Sequence, residues 1–293
     1  MNRHPLKLTR LMLFARRSPI DRTPAEVGLA YEDVAFKAGD GVGLKGWFIP
    51  SETEGPAPAI VFVHGWMWNR LGNVAGQVPV DDRDVDFLPA AKALHDAGFH
   101  VLMYDVRKHG ESESGPGLVS FGPLEKRDFV GAVAYLRSRP DVDGQRIGSL
   151  GVSMGGTIAL YGAPDCQPIK AILALQPAKV TTFNANFCRL EFGPAGPFIM
   201  MPPIELIYRA WRVTPPSKQD PGLPAESLDG TVVKYVQGTG DRYGTMEDVE
   251  DFARRTPTVD GPVVKFPSTG RYDGYRYVSE CRDEIADFFT RHL

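Results

Sequence analysis

The sequence predicts an α/β fold, with a mostly parallel central sheet of about eight strands and helices on both faces. Three observations carry this. Short apolar runs alternate with segments of helical spacing along most of the chain. Those runs are apolar at nearly every position, as strands buried on both faces must be. One of them ends in Gly151-Val152-Ser153-Met154-Gly155, and a helical pattern starts at once.

The chain opens on "MNRHPLKLTRLMLFARRSP", with Arg3, Lys7, Arg10, Arg16 and Arg17 and no acid. Its apolar stretch, Leu11 to Ala15, is shorter than a signal-peptide core, and no small-residue cleavage site follows. Two readings stay open: a basic amphipathic helix resting on an anionic membrane, or a helix packed on the domain. Residues 1–30 are set apart as a basic extension, and residues 31–293 as the domain.

"YEDVAFKAGDGVGLKGWFIPS" reads as a hairpin turning at Asp40-Gly41, which extends one sheet edge antiparallel. After the Pro-rich break at 56–58, "AIVFVH" (59–64) and "HVLMYDV" (100–106) are strands. Between them, residues 86–98 have helical spacing, closed by Gly98. Residues 121–138 form a helix with Phe129, Val133 and Leu136 on one face. Residues 146–152, 170–176, 231–238 and 262–266 are further buried strands, and 246–255 and 277–289 are amphipathic helices. Residues 177–230 break the alternation, being rich in Pro, Gly and bulky apolar side chains. Such a long insertion reads as a cap over the carboxyl edge of the sheet. Its Phe183, Phe187, Phe192, Phe198, Met200, Met201, Tyr208 and Trp211 suit an apolar acyl or aromatic ligand, or the cap's own core.

Composition bounds the function. At 293 residues and 43% hydrophobic, the chain has ample core for a large domain. A formal charge of -3 argues against a nucleic-acid surface. Cys166, Cys188 and Cys281 are widely spaced and odd in number, which fits neither a disulfide framework nor a metal site. A reducing, cytoplasmic setting is the simpler reading. No apolar run is long enough to span a bilayer. "GDGVG" lies in the hairpin turn rather than after a strand, so no dinucleotide cofactor is expected, and no metal. The expected partner is a small-molecule substrate or ligand; peripheral membrane contact belongs to the first of the two readings of the basic extension.

The segment 151–155 matches G-x-S-x-G. A serine on a sharp strand-to-helix turn projects its hydroxyl into a cleft. The strain and crowding of that turn demand small neighbours, and the N–H groups of the next helix favour developing negative charge.

Together with "VFVHGW" (61–66), "YDVRKHGES" (104–112) and "DGVGLKGWFIP", this segment resembles the α/β-hydrolase family over nearly the whole chain. The similarity is greatest to bacterial hydrolases of the prolyl-oligopeptidase and dienelactone-hydrolase branches. The resemblance implies Ser153 as nucleophile and the backbone N–H groups of Trp66 and Met154 as oxyanion hole. His64 reads as satisfying a buried hydrogen bond, and Arg107 and His109 as knitting the loop after their strand.

The family's triad runs Ser, then Asp or Glu, then His. Asp241, directly after "VVKYVQGTG", stands where the family places its acid; Asp248, in the next helix, is a poorer candidate. The base belongs in "KFPSTGRYDGY" (265–275), where the family usually shows Gly-His and this chain shows Gly270-Arg271. His292 is the one histidine after Asp241. A helix of some sixteen residues, at about 1.5 Å each, carries it roughly 24 Å from the active edge. Arg271 has no lone pair to accept a proton.

The reading that follows is a serine hydrolase of carboxylic esters, amides or thioesters bearing an apolar group. Ser153 is its nucleophile and Asp241 its acid, with Arg271 at the usual histidine position and no evident catalytic histidine, unless His64 or His109 serves. Two alternatives stay open. One is a catalytically degenerate homologue that binds a ligand or partner. The other is a non-hydrolytic enzyme, for cyclisation or elimination, that reuses the pocket.

Overall fold

The structure, a computed structural model, describes residues 5–15, 17–76 and 82–293. Arg3 and Arg16 of the basic extension lie outside the described residues.

Eight strands form one sheet: β1 (Glu32–Lys37), β2 (Gly43–Ile49), β3 (Ala57–Val63), β4 (His100–Tyr104), β5 (Val142–Val152), β6 (Ala171–Leu175), β7 (Val232–Gly238) and β8 (Val264–Phe266). Their spatial order is β1-β2-β4-β3-β5-β6-β7-β8. The hairpin β1–β2 joins β4 antiparallel, and every other pairing is parallel. The central strands are buried along their full length, β3 from Ala59 to Val63 and β6 throughout, which is why their sequences do not alternate.

Each face of the sheet is covered by its own apolar layer. On one face lie α2 (Leu88–Asp96) and α8 (Arg282–His292), contributing Leu88, Leu94, Ile285 and Phe288. On the other lie α3 (Lys126–Ser138), α4 (Met154–Gly162) and α7 (Met246–Arg255), contributing Phe129, Ile158, Val249 and Phe252.

The N-terminal helix α1 (Pro5–Leu13) packs on the domain: Met12 and Leu13 are buried, and the Val119 N–H donates to the Leu13 carbonyl at 3.1 Å. Arg17 donates to the carbonyl of Gly110 at 2.5 Å.

Three expectations about elements need correction. The helix expected from residue 121 begins at Lys126. Residues 120–125 are instead gathered around the buried Glu125 carboxylate, which accepts from the Ser120 N–H and hydroxyl and the Gly122 N–H. The helix expected over 277–289 is two pieces, Tyr277–Glu280 and α8, broken at Cys281. Arg271 does not sit in a plain loop but opens a one-turn helix, Arg271–Gly274. Periodicity cannot see breaks of one turn, because the apolar residues on either side keep their spacing.

The inserted segment 177–230 forms a helical hairpin, α5 (Val180–Phe192) and α6 (Gly196–Ala210), followed by short turns. Pro202 and Pro203 lie inside α6. Each removes a helical N–H donor, so only packing of the buried row Met200, Ile204 and Tyr208 sustains the helix through them.

Candidate active site

Ser153 lies between β5 and α4 with φ 56° and ψ -118°. A non-glycine residue held there costs about 1–3 kcal/mol, so its surroundings must impose the shape. They do. The Ser153 N–H donates to the Leu175 carbonyl of β6 at 2.8 Å, and the Thr157 N–H donates to the Ser153 carbonyl at 3.2 Å. The flanking glycines are steric necessities: a Cβ on Gly155 would stand 2.1 Å from the Val63 carbonyl oxygen, and one on Gly151 would stand 2.6 Å from that of Gly155. Each contact is with backbone, which cannot swing away.

Ser153 opens onto a cleft with an empty volume of ≈ 830 Å³, mouth included. Its walls are mostly apolar: Trp66, Phe121, Phe183, Phe187 and Tyr243, with Leu11 and Met12 of α1. Trp66 and Met154, the residues whose N–H groups were expected to face a developing oxyanion, both line it. Met154 is the first residue of α4, so no helical carbonyl precedes it to accept its N–H. Of the bulky residues of the 177–230 segment, Phe183 and Phe187 line the cleft, Met200 and Tyr208 are buried, and Phe198 is exposed to solvent.

Opposite the serine, Arg271 and Asp241 form a buried pair, with Nη1 donating to Oδ2 at 2.5 Å. Arg271 Nη2 donates to Ser153 Oγ at 3.1 Å and to the Gln176 carbonyl at 2.8 Å. Three residues far apart in the chain, Ser153, Arg271 and Asp241, thus stand in one hydrogen-bonded row. Asp241 is aimed by its own loop: Oδ1 accepts from the N–H groups of Tyr243 (2.9 Å) and Gly244 (3.1 Å), and Oδ2 from Gln237 Nε2 (3.1 Å). Burial works to lower the pKa of the Arg271 guanidinium, but the Asp241 charge, helped by neighbouring tyrosines, carries it above its ordinary value. The guanidinium stays charged at any working pH.

The other candidates stand apart from this row. Asp248 sits in the first turn of α7, where its N–H donates to the Thr245 hydroxyl at 3.1 Å. His292 lies 3.6 Å from Asp260. His64 is buried and satisfied, with Nδ1 2.7 Å from the Gly65 carbonyl and Nε2 accepting from the Val106 N–H at 3.0 Å. His109 stacks edge-on against it, with Nδ1 2.9 Å from the Arg107 carbonyl. Burial pushes His64 down to about 4 and His109 down to about 3, so both are neutral at working pH. Arg107 is held by Asp128 and Asp40.

Two residues of the site were not expected. Tyr275 is buried and lines the cleft with Ser153, and the Arg271 guanidinium carbon lies 5.5 Å from its ring centre. Burial pushes the phenol up to about 12, so it keeps its proton. The signal was present in its spacing: it stands four residues after Arg271, one helical turn on. Gln176, just past β6 with φ 49°, donates to the Arg271 carbonyl at 2.9 Å and accepts from the Gly238 N–H at 3.2 Å. It ties the Arg271 turn to two strand ends. No local pattern marks a glutamine for that role.

Chemically, the row is rich in donors. Among the described residues, Ser153 Oγ meets a guanidinium N–H rather than an imidazole lone pair, and the Tyr275 phenol that shares its cleft keeps its proton. Such a site stabilises negative charge on oxygen better than it removes a proton. The described residues hold no cluster of His, Cys, Asp or Glu fit for a metal ion, and the three cysteines are free thiols.

The model of the alpha/beta hydrolase family matches residues 60–289, and the chain belongs to that family. Among curated proteins, YfhR of Escherichia coli O157:H7, of uncharacterized function, is 36% identical over 148 residues, 48% of this chain and 45% of the relative. The thiohydrolase aneE of Aspergillus aculeatus is 30% identical over 154 residues, 53% of this chain and 44% of the relative. The chain thus spans under half the length of these relatives. Among solved structures, the esterase Pf2001 of Pyrococcus furiosus superposes with a TM-score of 0.70, at 21% identity, over 96% of this chain and 98% of that one. The acylaminoacyl peptidase of Pyrococcus horikoshii does so with 0.62, at 17% identity, over 90% of this chain and 42% of that one. These two likenesses establish the fold.

Proposed function

We propose that the protein is a serine-dependent hydrolase of carboxylic esters or thioesters with an apolar acyl group, in which an Asp241–Arg271 ion pair replaces the imidazole relay. Residues 31–293 are read as the hydrolase domain, 177–230 as its cap and 1–30 as an extension. The observation that carries the reading is the strained Ser153 turn opening onto an apolar cleft beside Met154 at the head of α4. Esterase and thiohydrolase relatives support the substrate class.

In this mechanism the Ser153 oxygen attacks the acyl carbon, and the carbonyl oxygen takes up negative charge facing the Trp66 and Met154 N–H groups. Arg271 Nη2 holds the serine oxygen as it becomes anionic, and Asp241 compensates the guanidinium. The serine proton leaves to water or hydroxide, since neither Arg271 nor protonated Tyr275 accepts it. The tetrahedral intermediate then breaks its bond to the leaving alcohol or thiol, which takes its proton from water. A water molecule hydrolyses the acyl-serine to free the acid and restore Ser153. Turnover is therefore slow near neutrality and climbs with pH, with no inflection near 6–7 from a histidine base. Triad enzymes that lose a member keep about 10³–10⁴-fold acceleration over water, and that is the range expected here.

The donor-only row also favours a second reading, the binding of an apolar carboxylate without turnover. One experiment separates the two: labelling with a fluorophosphonate probe, and initial rates on p-nitrophenyl esters and acyl thioesters of increasing chain length from pH 6 to 10. Labelling confined to Ser153, with rates rising with pH, supports the hydrolase. No labelling and no turnover, with saturable decanoate binding, supports the binding protein.

A further inference from the structure

We propose that the outer face of α6, with the arginines around it, docks on an anionic lipid bilayer. The argument begins with what α6 exposes. Phe198, Ile199 and Leu206 are 84%, 68% and 68% exposed. At about 100° per residue they share one arc of roughly 100° with Pro202 and Arg209, opposite the buried row Met200, Ile204 and Tyr208. Leu190, 48% exposed, lies in the last turn of α5, which packs on α6. Single exposed apolar residues are ordinary on any protein surface; a row of them along one helix is not.

The surroundings select the occupant. Arg189, Arg209 and Arg212 are exposed around the hairpin, and Arg10 is exposed on α1. Among the described residues none of the four stands in an ion pair. Glu205, the acid on α6, is turned to the Ser217 N–H and hydroxyl. α1 meets the end of α6 through aromatic contacts: the Arg10 guanidinium carbon lies 5.6 Å from the Phe14 ring centre, and Phe14 meets Trp211 edge-on at 5.6 Å. Apolar side chains rimmed by arginines and a tryptophan match the boundary between acyl chains and anionic headgroups. A symmetric second copy would bring these unpaired arginines against each other, which disfavours self-association.

Docking there has a consequence for the cleft. Both helices that flank α6, α1 through Leu11 and Met12 and α5 through Phe183 and Phe187, also wall the Ser153 cleft. A bilayer on α6 would place those walls next to a reservoir of apolar acyl groups. The proposal does not depend on Ser153 being a working nucleophile.

The test is co-sedimentation of the full chain with phosphatidylcholine vesicles, with and without phosphatidylglycerol, at low and high salt. Binding to the anionic vesicles, weakened by salt, is expected. The triple variant Phe198→Ser/Ile199→Ser/Leu206→Ser should bind roughly tenfold or more weakly. Arg10→Gln/Arg209→Gln/Arg212→Gln should lose roughly fivefold per arginine on anionic vesicles alone. Circular dichroism and a urea unfolding midpoint matching the parent confirm that both variants are folded. No binding by the parent, or equal binding to uncharged vesicles, would overturn the proposal. So would a dimeric parent that the serine variant converts to monomer, because a second copy would then cover the face.

Discussion

The two sides of the Ser153 cleft are built on different principles. On one side, the turn from Gly151 to Gly155 is held by shape: backbone crowds both glycines, and β6 pins the serine N–H. On the other, Arg271 and Asp241 are held by charge, a buried pair with its remaining lone pairs met by backbone and amide donors. A steric turn accepts almost no substitution. A charge-compensated corner accepts another cation, provided that its carboxylate is still paired.

The largest expected effect tests the charged side. Asp241→Asn preserves shape and the two backbone hydrogen bonds to Oδ1, but it turns an NH2 donor toward Gln237 and Arg271 and strands a buried guanidinium, which should destabilise the fold by about 3–5 kcal/mol. Urea denaturation measures it. A loss under about 1 kcal/mol would show the pair to be solvated, and the contrast drawn above would fail.

Arg271→His comes next. It restores a row of serine, imidazole and carboxylate, and should raise ester hydrolysis by about 10²-fold or more, with a new inflection near pH 6–7. Adding Ser153→Ala should remove the gain. Initial rates of the parent and both variants, at matched circular dichroism, decide it. A parent already turning over at about 10 s⁻¹ would mean that a base exists elsewhere.

Gly155→Ala tests the steric side. The added methyl meets the Val63 backbone, so a loss of about 1–3 kcal/mol is expected, together with loss of serine labelling. Full labelling in a stable variant would show that the turn can relax.

The smallest expected effect on activity, none at all, separates the site from the histidines beneath it. Buried His64 and His109 have native pKa values near 4 and 3, below the ordinary 6.5. As pH falls, the unfolded chain takes up their protons first. Their contribution is therefore whole above about pH 6.5 and is lost as pH falls toward 4, by up to about 1.4 kcal/mol per pH unit for each histidine. Thermal denaturation between pH 7 and 4 should show this slope, and His109→Phe should lessen it. Activity measured where the protein stays folded should show no matching inflection. If it does, one of these histidines serves the reaction.

Much of this was legible in the sequence, and for identifiable reasons. Strand burial on both faces is written in uninterrupted apolar runs such as Ala59–Val63, and the serine turn in its paired glycines. Arg271 and Asp241 were readable by position, because each follows a strand at the same sheet edge. The cap's form was not legible: Pro202 and Pro203 argue locally against a helix, and the packing of Met200, Ile204 and Tyr208 overrides them. Nor did aromatic content tell which cap side chains face the cleft, since Phe187 and Phe198 are alike in sequence and opposite in exposure.

The sequence by itself determined the sheet and the serine turn, because periodicity and backbone sterics act between near neighbours. Only the tertiary structure decided what stands around the serine hydroxyl. Ser153, Gln176, Asp241 and Arg271 follow four different strands, and their hydrogen bonds exist because the parallel sheet brings its carboxyl ends to one edge. The charge on Arg271 was certain from its chemistry. That its N–H groups point at both a serine oxygen and a carboxylate is a fact of packing, set by contacts 118 and 30 residues apart in the chain.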